Sequence, residues 1–349
     1  MKHDIAARGL RTWGLAVCAL ALAGCGETAT APGTMEANDE GTQAAALGTW
    51  IKRTNLWNEE RWGHAAAVVR GGDGRFTLYV IGGSSSGFTQ PSGPTSNALT
   101  RVQAYDVAAD SWSVRRSLPL DLYRTNGAGV IGGKIYVSGG RRSGDKRYEQ
   151  ALLVYDPATN TWTRKRDMPY ATWGGVTGVI GNQLYVLTCP SEEDCSQHSA
   201  LILFRYDPPT DQWTELSVTP VALGLPMGGV IGGKLYATGG PGGALLAYDP
   251  ATNSWSTKAS LPNRRFSGAG VAFGGKLYII GGFREVQDGV REAVRTTSIY
   301  DPATNSWSNG APLPTHRFDF TASRVAVDGA PRIQAVGGVR PGNNLQYIP

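Results

Sequence analysis

Short apolar runs follow one another along the chain, broken by glycine pairs and polar turns, and the stretch Val230–Trp255 (VIGGKLYATGGPGGALLAYDPATNSW) shows the pattern most fully. An apolar run leads into a Gly232-Gly233 hairpin, and a second run ends in the doublet Gly239-Gly240. A third run ends in Tyr248-Asp249, and a polar turn then delivers Trp255. Runs this short between turn residues predict a string of antiparallel strands. The same unit returns along the chain. VIGGKIYVSGG (130–140), VIGNQLYVLTC (179–189) and AFGGKLYIIGG (272–282) repeat its first half, and YDVAADSW (105–112), YDPATNTW (155–162), YDPPTDQW (206–213) and YDPATNSW (300–307) repeat its second. The tryptophans at 112, 162, 213, 255 and 307 lie 50, 51, 42 and 52 residues apart, a period of repeat architectures.

Each repeated residue has a structural task. A glycine pair at a strand end permits positive φ and close backbone approach, which strands crowded at an axis require. The Tyr and Trp of each copy supply apolar area for packing one twisted sheet on the next. Asp-Pro-Ala-Thr-Asn is turn chemistry, because Pro presets φ and the Asp and Asn side chains bond nearby backbone.

With glycine doublet, Tyr and Trp recurring in this order from about Trp50 to the C-terminus, the chain resembles the kelch family of β-propellers. The resemblance implies an all-β fold of four-stranded antiparallel blades, with strands a to d running outward from the axis. Trp50 occupies the place of a strand-d tryptophan before any first blade, whereas Ile333–Gly338 and Asn344–Ile348 at the other end supply early strands without one. The two ends therefore complete a single blade, which closes the ring and hides an edge. Counting Trp50, Trp112, Trp162, Trp213, Trp255 and Trp307 predicts six blades.

The segment before the repeats has its own pattern. Residues 1–24 carry Lys2, Arg8 and Arg11 and then the apolar run Trp13–Ala23, too short for a spanning helix and shaped like a secretory signal. It ends Leu22-Ala23-Gly24-Cys25, which resembles the bacterial lipobox, in which the Cys is acylated and becomes the new N-terminus. The match implies a membrane anchor at Cys25. Residues 25–46 have few large apolar side chains and read as a flexible tether to a propeller at 47–349. Gly26 stands where an Asp would signal inner-membrane retention, so the resemblance implies the outer membrane.

Charge adds little. The formal charge is +5, and removing Lys2, Arg8, Arg11 and Asp4 leaves 30 basic against 27 acidic residues. No basic run accompanies this excess, which argues against nucleic acid. A monomer without cofactor or bound metal is expected.

In such a meander the a–b and c–d turns share one face, and the b–c and d–a loops share the other. The b–c loops are long at Ser84–Leu99, Arg141–Gln150, Cys189–Ser199 and Phe283–Arg295, and long loops on a rigid scaffold are where binding resides. Aligning the starts of strand a places Arg61, Arg124, Arg265 and Arg317 together, with Trp173 in the third blade. Arg141, Arg284 and Arg340 follow the strand-b glycines, together with Arg142. These side chains are expected to ring the channel mouth. Arg offers a planar fork to carboxylates and Trp a stacking face, which points to an acidic sugar or an acidic peptide. The competing reading is that each Arg pairs with an acid between blades.

Cys189 and Cys195, close together outside the cytoplasm, are expected to form a disulfide. A metal site built from them, His198 and the 192–194 carboxylates lacks a zinc spacing. The copper constellation of the galactose oxidase type cannot be assembled, since only His64, His198 and His316 follow the signal. A better enzymatic precedent is N-acetylneuraminate epimerase (mutarotase), a six-bladed kelch propeller of bacterial envelopes that uses carboxylates and arginines. Glu149, Glu285 and Glu292 are the acid–base candidates on that reading. Binding module and sugar-processing enzyme both stay open, separated by whether a buried, partnered carboxylate stands beside the arginines.

Overall fold

The computed structural model describes residues 48–56, 61–85, 98–143, 147–189, 200–240, 242–287, 290–339 and 344–349. Cys25, Cys195 and Arg340 therefore lie outside the described residues, as does the expected signal and tether.

Six four-stranded antiparallel sheets form a propeller. Their innermost strands are Ala65–Arg70, Ala128–Ile131, Val176–Ile180, Met227–Ile231, Ala269–Phe273 and Thr321–Val327. Each touches the next and the sixth touches the first, so the ring is closed. Adjacent inner strands approach so closely that a Cβ on Gly270 would sit 2.3 Å from the Gly228 nitrogen. The sixth sheet combines Thr321–Val327, Ala330–Val336 and Asn344–Ile348 with the N-terminal strand Thr49–Arg53, in which Trp50 pairs with Tyr347. The closure expected from Trp50 is the one observed.

Core packing lies between blades rather than in one centre. Tyr79, Ile135 and Leu153 share one cluster; Leu235, Leu246 and Tyr185 share another; Ile280, Ile333 and Leu345 share a third. Neighbouring blades cover both faces of a sheet, so strands b such as Lys134–Ser138, Lys234–Gly239 and Lys276–Ile280 are buried at consecutive positions instead of alternating.

The repeated Tyr and Trp act as a latch. Tyr105–Trp112, Tyr155–Trp162, Tyr206–Trp213, Tyr248–Trp255, Tyr300–Trp307 and Tyr347–Trp50 are cross-strand partners with rings 4.9–5.2 Å apart. In all six blades the Trp Nε1 donates to a carbonyl at the end of strand d of the preceding blade, at 2.7–3.4 Å. The turn residue five places after the Tyr, for example Asn305, adopts φ of 48–53° and accepts the Tyr hydroxyl. Asn305 also accepts the Ala259 N–H of the preceding blade at 2.9 Å. One polar turn thus satisfies its own strand and its neighbour.

The glycine doublets do a matching job on the loop face. Gly83, Gly140, Gly282 and Gly338 donate their N–H groups to the carbonyls of Leu122, Thr172, Arg317 and Arg61, pinning the next blade's d–a loop at 2.7–2.8 Å. The seam between the sixth and first blades is more polar. Gln346 donates to Gln334, Gln334 to Asn344, and Asn344 to the Thr54 carbonyl, and all three side chains are buried.

Candidate functional site

The d–a loops meet at the axis in a ring of six residues with left-handed backbone. Gly63, Arg124, Gly174, Leu225, Ser267 and Asp319 have φ between 48° and 67°. Backbone bonds run round this ring, from Gly174 N–H to Arg124 C=O (2.9 Å), Arg124 to Gly63 (2.5 Å), Gly63 to Asp319 (2.9 Å) and Asp319 to Ser267 (2.7 Å). Four of the six are not glycine. L-residues hold this conformation at a cost, and such strain gathers at functional positions.

One residue before each ring position stands an aromatic in five blades: Trp62, Tyr123, Trp173, Phe266 and Phe318. They form a collar under the b–c loops, with Trp62 edge-on to Tyr123 at 5.5 Å and Phe318 3.8 Å from Phe283.

The ring encloses a recess of about 150 Å³ lined by His64, Arg124, Thr125, Leu225, Ser267 and Asp319 among others. It continues into an axial channel walled by small residues of all six inner strands, including Ala66, Thr177, Gly228 and Gly270. Arg124 dominates its chemistry. Its guanidinium lies 5.3 Å from the Trp62 ring and 5.4 Å from the Trp173 ring, and Nη2 donates to Asp319 Oδ2 at 3.1 Å. Its Nε has no hydrogen-bond partner among the described residues. The Asp319 carboxylate is only 11 % exposed. Trp173 in turn stacks on Tyr148 at 5.8 Å, and Arg141 lies 5.5 Å from the Tyr148 ring. A ladder of cations and aromatics thus climbs from the second blade's b–c loop to the mouth, its arginine steps favourable by cation–π attraction and its Trp173–Tyr148 step by aromatic stacking.

His64, on the recess wall, is buried and bonds Thr321 Oγ1 through Nε2 at 2.9 Å. Burial, reinforced by the charge of Arg61, lowers its pKa to about 3, so it is neutral.

The expected ring of arginines is therefore corrected. Arg124 and Trp173 stand at the mouth, but Arg61, Arg265 and Arg317 are 0–1 % exposed and none of them lines the recess. They sit two residues before the left-handed position, where glycine doublets pin Arg61 and Arg317 by their carbonyls, whereas Arg124 occupies the left-handed position itself. Arg265 is spent on its own blade: Nε donates to Gly281 O, and Nη2 to Ile279 O and Ser298 Oγ. Burial alone lowers the pKa of Arg265 and of Arg317 to about 10. Arg142 pairs with Asp121 at 3.1 Å and lies 3.8 Å from Glu149, and Arg284 pairs with Glu292 at 2.7 Å. Glu149, Glu285 and Glu292 do not line the recess. Trp173 is already covered by Tyr148 and Arg124 instead of waiting for a sugar. Cys189 is disulfide-bonded and buried. Among the described residues no cluster of His, Cys, Asp and Glu is arranged to hold a metal ion.

Alignment on Arg finds Trp173 of the collar but misses Asp319, Ser267 and the other four aromatics. The aromatic that precedes the ring residue in five of the six blades is the sequence signal that finds them.

The fold defines a six-bladed β-propeller. Residues 124–169 and 264–314 match the family model for the Kelch motif. The chain is similar to Kelch-like protein terF of Aspergillus terreus, 31% identical over 191 residues that make up 51% of this chain and 38% of that one. It is also similar to human Kelch repeat and BTB domain-containing protein 12, 29% identical over 48% of this chain and 28% of the relative. Human Kelch-like protein 34 is 29% identical over 41% of this chain and 20% of its own length. The chain thus spans well under half the length of these curated relatives. The solved structure of YjhT superposes with a TM-score of 0.64 over 84% of this chain and 95% of that one, at 16% identity, a likeness of fold. Two segments of the chain thus match the Kelch motif, and they lie in a propeller of six blades.

Proposed function

We propose that the protein is a cell-envelope binding module, anchored at the outer membrane through lipidated Cys25, that takes an acidic sugar or acidic peptide at the channel mouth. The observation that carries the ligand class is Arg124: a strained, aromatic-flanked guanidinium lining the recess, bonded to Asp319 through Nη2. A ligand carboxylate would accept from the fork that Asp319 only partly occupies. The lipobox and its following Gly26 support the anchor and its destination.

The test is a thermal-shift screen of acidic sugars, sialic acid included, and acidic peptides. Binding at a hundredfold excess over Kd stabilises by about 2.7 kcal/mol, and the shift should vanish in Arg124→Ala. Arg265→Ala is unsuitable as a binding variant because that side chain is internal. No shift with any acid would overturn the ligand class.

A second reading, a sugar-processing enzyme of the epimerase type, is favoured by Asp319. A largely buried carboxylate, bonded to the arginine at the mouth, is the feature that separates an acid–base site from a plain binding site. Anomer interconversion of a sugar hit, abolished in Asp319→Asn while binding persists, would establish it.

A further inference from the structure

Away from the axis, the fifth blade holds a recess of about 310 Å³, in the lower range of small-molecule pockets. It shares no lining residue with the mouth. Three chain segments bound it: the loop entering the blade, with Arg265; the b–c segment, with Arg284, Glu292 and Arg295; and the loop leaving the blade, with His316. The b–c segment is itself a hairpin of Phe283–Gln287 and Val290–Ala293, so this wall is a built element.

Arg265 makes the recess unusual. Its side chain is 1 % exposed, yet every partner is neutral: the carbonyls of Gly281, Ile279 and Asn263 and the Ser298 hydroxyl. It has no ion-pair partner among the described residues. A guanidinium carries five N–H groups, and these bonds account for four. The fifth is on Nη1, whose bond to Asn263 at 3.0 Å lies at the less buried end of the group. Buried charges are ordinarily paired, and an uncompensated one is costly. Burial alone pulls the Arg265 pKa down, which agrees with the lack of a counter-charge. Across the recess Arg295 also has no ion-pair partner among the described residues, and the single acid of the lining, Glu292, is held by Arg284 at 2.7 Å. The lining is therefore net positive around a buried cation.

We propose that this recess is a second binding site, specific for a phosphate-type oxyanion, with Arg265 Nη1 at its floor and Arg295, Arg284 and His316 at its rim. Donors arriving from three segments suit a tetrahedral anion with acceptors on every side. A planar carboxylate is satisfied by one arginine fork. The site is independent of the mouth and of the ligand proposed there.

The experiment titrates inorganic phosphate, glycerol 1-phosphate and dihexanoyl phosphatidic acid into the purified full chain, followed by thermal shift and 31P line width, against chloride at matched ionic strength. The order of the three affinities distinguishes a free anion, a soluble ester and a lipid headgroup. Arg295→Gln and His316→Ala change exposed side chains and leave the fold in place. The expected result is saturable binding that Arg295→Gln weakens about tenfold, the loss of one charge-assisted bond, and that Arg124→Ala leaves unchanged. Failure to saturate up to about 10 mM beyond the chloride control overturns the proposal, as does a loss in Arg124→Ala without one in Arg295→Gln.

Discussion

Acidification from pH 7.5 to 5 should cost the fold about 2 kcal/mol through His64 alone. The ring is packed so closely that a Cβ on Gly337 would come within 2.3 Å of its Cε1, and Arg61 and Arg317 place two positive charges nearby. Burial first, and then the Arg61 charge, hold its pKa at about 3 against 6.5 in an exposed chain. The unfolded chain therefore takes up a proton near 6.5 that the folded chain refuses until about 3. Stability is complete above the upper value, falls by about 1.4 kcal/mol per pH unit between the two, and levels off below the lower. Urea midpoints of the wild type and His64→Gln at both pH values isolate this contribution. Carboxylates held below their usual range, such as Asp207 and Asp211, are common to both proteins and cancel in the difference. The wild type should lose about 2 kcal/mol more than the variant, and a difference under about 0.5 kcal/mol would refute the buried neutral imidazole.

Trp50→Phe should cost about 1 kcal/mol, the bond from Nε1 to the Ala311 carbonyl, and Trp50→Ala about 3 kcal/mol with faster hydrogen exchange in Asn344–Ile348, because the closing strand loses its anchor. Asn305→Ala removes the acceptor of both Tyr300 and Ala259 at a left-handed residue and should cost about 2 kcal/mol in urea unfolding. Asn305→Gly restores the backbone freedom without the bonds and should recover about 1 kcal/mol of that loss. Gly270→Ala drives a methyl group into the Gly228 backbone and should lower stability by about 2 kcal/mol or more, the cost of overpacking with no side chain able to yield.

Blade number and ring closure were legible in the sequence because the residues that set them are the ones that repeat. Tyr and Trp latch strand c to strand d and each blade to the last, so their spacing reports architecture directly. The loop face resisted the same treatment. Arg124 carries the letter of Arg61, Arg265 and Arg317 but stands two residues further along, at a positive φ that no letter other than glycine advertises. Burial of those three arginines was equally hidden, since a guanidinium reads as surface until the carbonyls that receive it are located. For Arg265 those carbonyls belong to Ile279 and Gly281, at the end of strand b and the start of its glycine doublet. Gln334, Asn344 and Gln346 mislead in the same way, as polar letters in a buried interface whose partners are one another.

The left-handed ring at the mouth separates architecture from identity. The bonds that hold Ser267, Asp319, Gly63, Arg124 and Gly174 to one another along the ring are made by main-chain atoms, with the Arg124–Asp319 ion pair added on top, so side chains can be changed at these stations without rewriting the scaffold. Glycine would be the relaxed choice, and each departure from it stores about 1 kcal/mol. Leu225 and Ser267 are thus separately exchangeable characters on an unchanging frame, while Arg124 and Asp319, joined by their ion pair, change together. A designer seeking new specificity would rewrite these four first, and an evolving lineage could change what the propeller grips while leaving how it folds untouched.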